Sequence, residues 1–166
     1  MTIEPEIEPA TPSAKLPARD TFRILIVDNI EHTDQLKEAC KDVGYSVVAC
    51  HTIDEAFAFL DDKDHADVII CAAHLEEESI FDFLRRLRLD PSHEKTMIMI
   101  LALEAGPVGA KFNATAEKTG QLLGADAFLN MPEFDAVQLI AEIKKLLPAV
   151  PALEVSRREE LEAKND

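Results

Sequence analysis

The chain has 166 residues, 47% of them hydrophobic, and its acidic side chains outnumber the basic ones 32 to 17, for a formal net charge of −15. That is enough apolar material for one globular domain with tails. The charge excludes nucleic acid as a direct partner, because neutralising phosphates takes Lys and Arg, and it reads as a solvated, self-repelling surface.

In chain order, residues 1–20 (MTIEPEIEPATPSAKLPARD) are acidic and rich in proline, with little that could pack. A disordered leader is expected there, not a signal or transit peptide. From Phe22 onward, short apolar runs alternate with longer amphipathic stretches, the pattern of an open α/β sheet. Phe22–Val27 (FRILIV), Val68–Cys71 (VIIC) and Met97–Leu101 (MIMIL) are almost continuously apolar. Strands covered by helices on both faces need that pattern, so these are predicted as the central parallel strands. Ser46–Cys50 and Ala127–Leu129 are shorter and predicted to flank them.

Five helices lie between and after the strands. Leu36, Ala39, Cys40 and Val43 share a face at helical spacing, stopped by Gly44. Thr52 with Glu55 forms a capping box for a helix carrying Ala56, Phe59 and Leu60. Ser79 and Asp82 open a third helix with Phe83, Leu84 and Leu87, which ends before Pro91. Phe112, Ala116, Thr119 and Leu123 line a fourth, closed by Gly124. Asp135 caps the last, with Val137, Ile140, Ala141, Ile143 and Leu147, stopped by Pro148. The expected organisation is a leader over 1–20, a domain over 21–148, then a linker and a short, exposed, charged helix (Arg157–Lys164) over 149–166. No second domain and no output domain is expected.

Cys40, Cys50 and Cys71 sit inside apolar runs, where a thiol behaves as a small buried hydrophobe. A reducing, cytoplasmic setting fits three unpaired cysteines. No stretch approaches the ~20 apolar residues of a membrane helix, so no membrane partner is expected.

Ligands gather beyond the carboxyl ends of the strands in such sheets. The first strand ends in Val27-Asp28-Asn29, and the third in Cys71-Ala72-Ala73-His74-Leu75, before a helix reading Phe83-Leu84-Arg85-Arg86-Leu87-Arg88. Gly124-Ala125-Asp126 and Met131-Pro132 frame the fifth, and Gly44-Tyr45 precedes the second. In order and spacing, Phe22 to Leu147 resembles the receiver domain of two-component response regulators. The resemblance implies a flavodoxin-like, doubly wound (βα)5 fold with a five-stranded parallel sheet in the order 2-1-3-4-5.

It also implies a pocket. A working receiver carries two acids after the first strand to hold a divalent cation, and an acceptor Asp after the third as nucleophile. A hydroxyl after the fourth strand and a Lys after the fifth steady the phosphoryl oxygens. Here Asp28 stands with Asn29, the acceptor position falls on Ala72, and the hydroxyl position on Ala102 (or Leu101, one residue earlier). Met131 stands at the lysine position. The resemblance therefore implies a pseudo-receiver with a vestigial pocket, no enzyme activity and no cofactor. Asp28 and Asn29 remain only as weak metal candidates.

Phe128 takes the place of the family's switch aromatic. With Phe112 and Pro132 it marks a candidate interaction surface on the fourth helix, fifth strand and fifth helix, expected to be held in one state. The expected partners are signalling proteins, with the chain monomeric or a homodimer. His74 reads as a loop histidine and Glu76–Glu78 as a solvated acidic loop. The long connection 103–110 is a surface insertion or a lid. Two other readings remain open: a small-molecule or nucleotide sensor, and a receiver phosphorylated at a substitute residue.

Overall fold

A computed structural model describes residues 22–61, 65–75, 79–103 and 115–148. The leader, Glu76–Glu78, Phe112, residues 104–110 of the long connection and the C-terminal helix expected over Arg157–Lys164 lie outside the described residues.

The elements run β1 (Arg23–Val27), α1 (Ile30–Asp42), β2 (Ser46–Cys50), α2 (Ile53–Asp61), β3 (Val68–Ala72) and α3 (Ile80–Leu89). A 3-10 turn (Pro91–His93), β4 (Met97–Leu103), α4 (helical over 115–122), β5 (Ala127–Met131) and α5 (Ala136–Leu146) follow. The five strands form one parallel sheet in the order β2-β1-β3-β4-β5, as the sequence predicts. Burial follows the same division. β3 is buried throughout and β1 and β4 after their first residues, whereas β2 is largely half-exposed and β5 is buried only at Leu129 and Met131.

Because side chains alternate across a strand, each strand feeds two cores. On one side Leu25, Val27, Ile69, Cys71, Ile98 and Ile100 meet α2 and α3 through Ala56, Phe57, Leu60, Phe83, Leu84 and Leu87. Phe57 and Phe83 pack edge to face at a 5.2 Å centroid separation, each removed from water. Burying one such ring stabilises the fold by about 1.5–3 kcal/mol. On the other side Ile24, Ile26, Val68, Ile70, Met99, Leu101 and Leu129 meet Leu36, Ala39 and Cys40 of α1 and Leu139 and Ile143 of α5.

The caps act largely as expected. Glu55 N–H donates to Thr52 Oγ1 at 3.0 Å, but the Glu55 carboxylate reaches back to the N–H of His51, one residue before the expected partner. Ser79 and Asp135 accept from the N–H groups of Asp82 and Gln138 at the starts of α3 and α5. Gly44 stops α1 at φ +92, a conformation that favours glycine.

Three face assignments need correction. Val43 is the C-cap of α1 and is 45% exposed, because the helix ends one residue before it. In α2 the deeply buried ring is Phe57, while Phe59 is half-buried with the Arg23 guanidinium 5.6 Å from its centroid. In α5 the buried stripe is Leu139–Ile143, a four-residue step, which turns Val137 and Ala141 outward.

Candidate functional site

The carboxyl edge of the sheet gathers the residues the sequence singled out. Asp28 follows β1 directly, its N–H bonded to Cys50 O at 3.1 Å, and is only 3% exposed. Its carboxylate accepts the Asn29 N–H at 2.7 Å and meets His32 Nδ1 at 3.2 and 3.3 Å. His51, just beyond β2, brings its Nδ1 within 3.0 Å of the Asp28 carbonyl oxygen. A carboxylate and a carbonyl can only accept, so both rings carry hydrogen on Nδ1 in these bonds.

Burial raises the Asp28 pKa above the ordinary carboxylate value, against the opposing pull of the Asn29 N–H and of His32 and His51. Asn29 is the N-cap of α1, its side-chain oxygen accepting the His32 N–H at 2.8 Å. Both weak metal candidates thus spend their oxygens on internal bonds. They belong to no cluster of three metal-ligating groups among the described residues.

Ala72 ends β3 and is 6% exposed. The ladder pairs it with Leu101, and the N–H of Ala73 donates to Leu101 O at 2.9 Å. Of the alternatives at the hydroxyl position, Leu101 is the one level with Ala72. Ala102 pairs one step further on, with Asn130. Neither has a hydroxyl, and both are buried.

Met131 ends β5 opposite Leu103, is 1% exposed, and accepts the Asp135 N–H on its sulfur at 3.2 Å. A flexible thioether fills the position and joins the α1–α5 core. Phe128, paired with Ile100, is half-buried against the opposite core, and Pro132 is exposed. The turn Pro132–Gln138 lines an open hollow beside it.

His32 and His51 were not singled out by sequence. Two signals could have found them: His32 stands four residues after Asp28, on the first turn of the helix that follows, and His51 is the first residue past β2.

No protein-family model matches the chain. The transcriptional regulatory protein CpxR of Klebsiella pneumoniae is 30% identical over 124 residues, which cover 75% of this chain and 48% of that protein. CpxR of Escherichia coli K12 is 29% identical over the same length. This chain therefore spans about half the length of the curated relatives it matches. Among solved structures, the receiver domain of a signal transduction histidine kinase from Syntrophus aciditrophicus superposes with a TM-score of 0.61 at 25% identity, over 76% of this chain and 89% of that one. The chemotaxis response regulator CheY4 of Vibrio cholerae gives a TM-score of 0.64 at 23% identity, over 76% and 99%. Among the described residues, no helix is long and apolar enough to cross a membrane. Taken together, the strand order and the superpositions give the described domain the fold of response-regulator receiver domains, and the similarity to CpxR supports that kinship.

Proposed function

We propose that this domain works without phosphorylation, as a cytoplasmic pseudo-receiver that binds signalling proteins in bacterial signal transduction. The observation that carries the reading is the side chain at the end of β3. Ala72 has no atom that can attack phosphorus, whereas an acceptor must present a carboxylate.

Its neighbours point the same way. Leu101, paired with Ala72, offers no hydroxyl, and the buried Met131 offers no ammonium to the phosphoryl oxygens. Without those groups a phosphoryl signal has nothing to hold it and nothing to relay it. The domain then acts through shape alone. The half-buried Phe128, the exposed Pro132 and the outward faces of α4 and α5 form the contact surface for a protein partner. The net charge of −15 sets that surface against nucleic acid.

Incubation of the full chain with acetyl phosphate and Mg2+, followed by intact-mass measurement, tests the reading. A receiver that retains its acceptor Asp serves as the positive control. The unchanged mass of this chain is the expected result. A stoichiometric phosphoryl adduct at one residue, on His74 or a carboxylate, overturns it.

A further inference from the structure

At the opposite, amino edge of the sheet, Asp61 ends α2, Asp90 caps α3 and His93 closes the 3-10 turn. One ligand atom from each of the three lies within 4.8 Å of the others. We propose that Asp61, Asp90 and His93 form a binding site for a zinc-like divalent metal ion, pinning the end of α2 to the turn between α3 and β4.

Two features set this group apart from an ordinary acidic surface. The first is His93. Its side chain is 6% exposed, yet among the described residues no hydrogen bond reaches its ring. Nε2 is aimed at the carboxylate of Asp90, 3.6 Å from Oδ2. That carboxylate is its partner, at ion-pair range and just beyond hydrogen-bond distance.

The second is how Asp90 is held. Its Oδ1 accepts the Ser92 N–H at 3.0 Å and the Ser92 hydroxyl at 2.7 Å, which leaves Oδ2 to face His93. Outer bonds of this kind orient the ligands of metal sites.

The spacing suits a small ion. Zn–N and Zn–O bonds of about 2.0–2.2 Å give a tetrahedral edge of roughly 3.3–3.6 Å. The Asp90–His93 pair is at that separation already. Asp61, exposed at its helix end, has a carboxylate oxygen within 4.8 Å of both. One imidazole with two carboxylates favours zinc over magnesium, which prefers oxygen ligands alone. The backbone at the site is firm: His93 N–H donates to Asp90 O at 3.1 Å, and Arg88 Nη1 donates to His93 O at 3.2 Å.

The test is calorimetric titration of the chelator-stripped full chain with Zn2+ and, separately, Mg2+, repeated on Asp61→Asn and His93→Gln. Zn2+ should bind at one site per chain and Mg2+ should not. Each substitution should weaken zinc by at least about tenfold. Co2+ in place of zinc should give visible absorption bands that Asp61→Asn abolishes. Asp61 is exposed, so its variant keeps the test decisive should His93→Gln fail to fold. Absence of zinc binding, equal binding of Mg2+, or wild-type zinc affinity in Asp61→Asn overturns the site.

Discussion

The two edges of the sheet carry opposite kinds of order. At the amino edge, Arg88 at the end of α3 donates from Nε to Gly124 O at 3.0 Å and from Nη1 to Thr96 O at 2.9 Å, besides its bond to His93 O. Its Nη2 meets Asp126 Oδ2 at 2.9 Å, and that same oxygen accepts the Ile98 N–H at 2.8 Å. One guanidinium thus fastens α3, the turn before β4 and the turn before β5. At the carboxyl edge, the positions between β3, β4 and β5 hold a methyl, an isobutyl and a thioether, with a lone acid satisfied by its own helix. A polar clamp thus orders one edge, and apolar filling the other. In this chain the carboxyl edge reads as a continuation of the core.

Breaking the clamp should have the largest effect. Arg88→Met removes every donor at once and leaves the carbonyls and Asp126 without their partner, a loss of about 2–4 kcal/mol measurable by urea unfolding. Gly124→Ala attacks the same clamp from its other side. Its φ is +106, and an added Cβ would lie 2.8 Å from Arg88 Cγ. A loss of about 2 kcal/mol is expected there, less than for Arg88→Met.

At the carboxyl edge, Ala72→Asp places a carboxylate in a buried position level with Asp28. It should cost about 1–2 kcal/mol near neutral pH and less in acid, and should yield no phosphoryl adduct by itself. If Ala72→Asp alone accepts phosphate, the apolar filling is shallower than described.

Asp28→Asn should give the smallest change, with the opposite sign. Burial raises the Asp28 pKa, so above the ordinary carboxylate value the folded state holds more protons than the unfolded chain. Stability from this group therefore falls as pH rises from about 4 through the raised pKa. Asp28→Asn removes that slope and raises the melting temperature near neutral pH. A variant with the wild-type pH slope would show that Asp28 titrates normally. The thiols offer a further check. Burial lifts Cys40 to about 12, and burial with the charge of Glu55 lifts Cys50 to about 11. Native protein should resist alkylation near neutral pH, and urea should release the reaction.

Strand positions were legible because buried parallel strands write themselves as unbroken apolar runs. Their ends were less so. β4 continues to Leu103 and β5 to Met131, since Ala102 and Leu103 keep pairing with Asn130 and Met131 after the expected runs stop. Of the faces misread by periodicity, Val43 was decided by the helix end, Phe59 by the neighbouring Phe57, and Val137 and Ala141 by the Leu139–Ile143 stripe that turns them outward.

The apolar residues Ala72, Ala102 (or Leu101) and Met131 could be placed at the strand ends from the chain alone, because each closes a strand the pattern already located. The Asp28–His32–His51 group needed two strand ends to be brought together. The Arg88 clamp needed three segments distant in sequence, and no local spacing announces a guanidinium that binds backbone carbonyls.

The position of β1 has a consequence for how the chain is made. Although first of the described strands, it is paired on both flanks, by β2 and by β3. The Arg23 N–H is held by the carboxylate of Asp67, 44 residues later. During synthesis one edge of the run Ile24–Val27 therefore stays unpaired until β3 has left the ribosome. That interval is when a sticky strand is most open to pairing with the wrong neighbour.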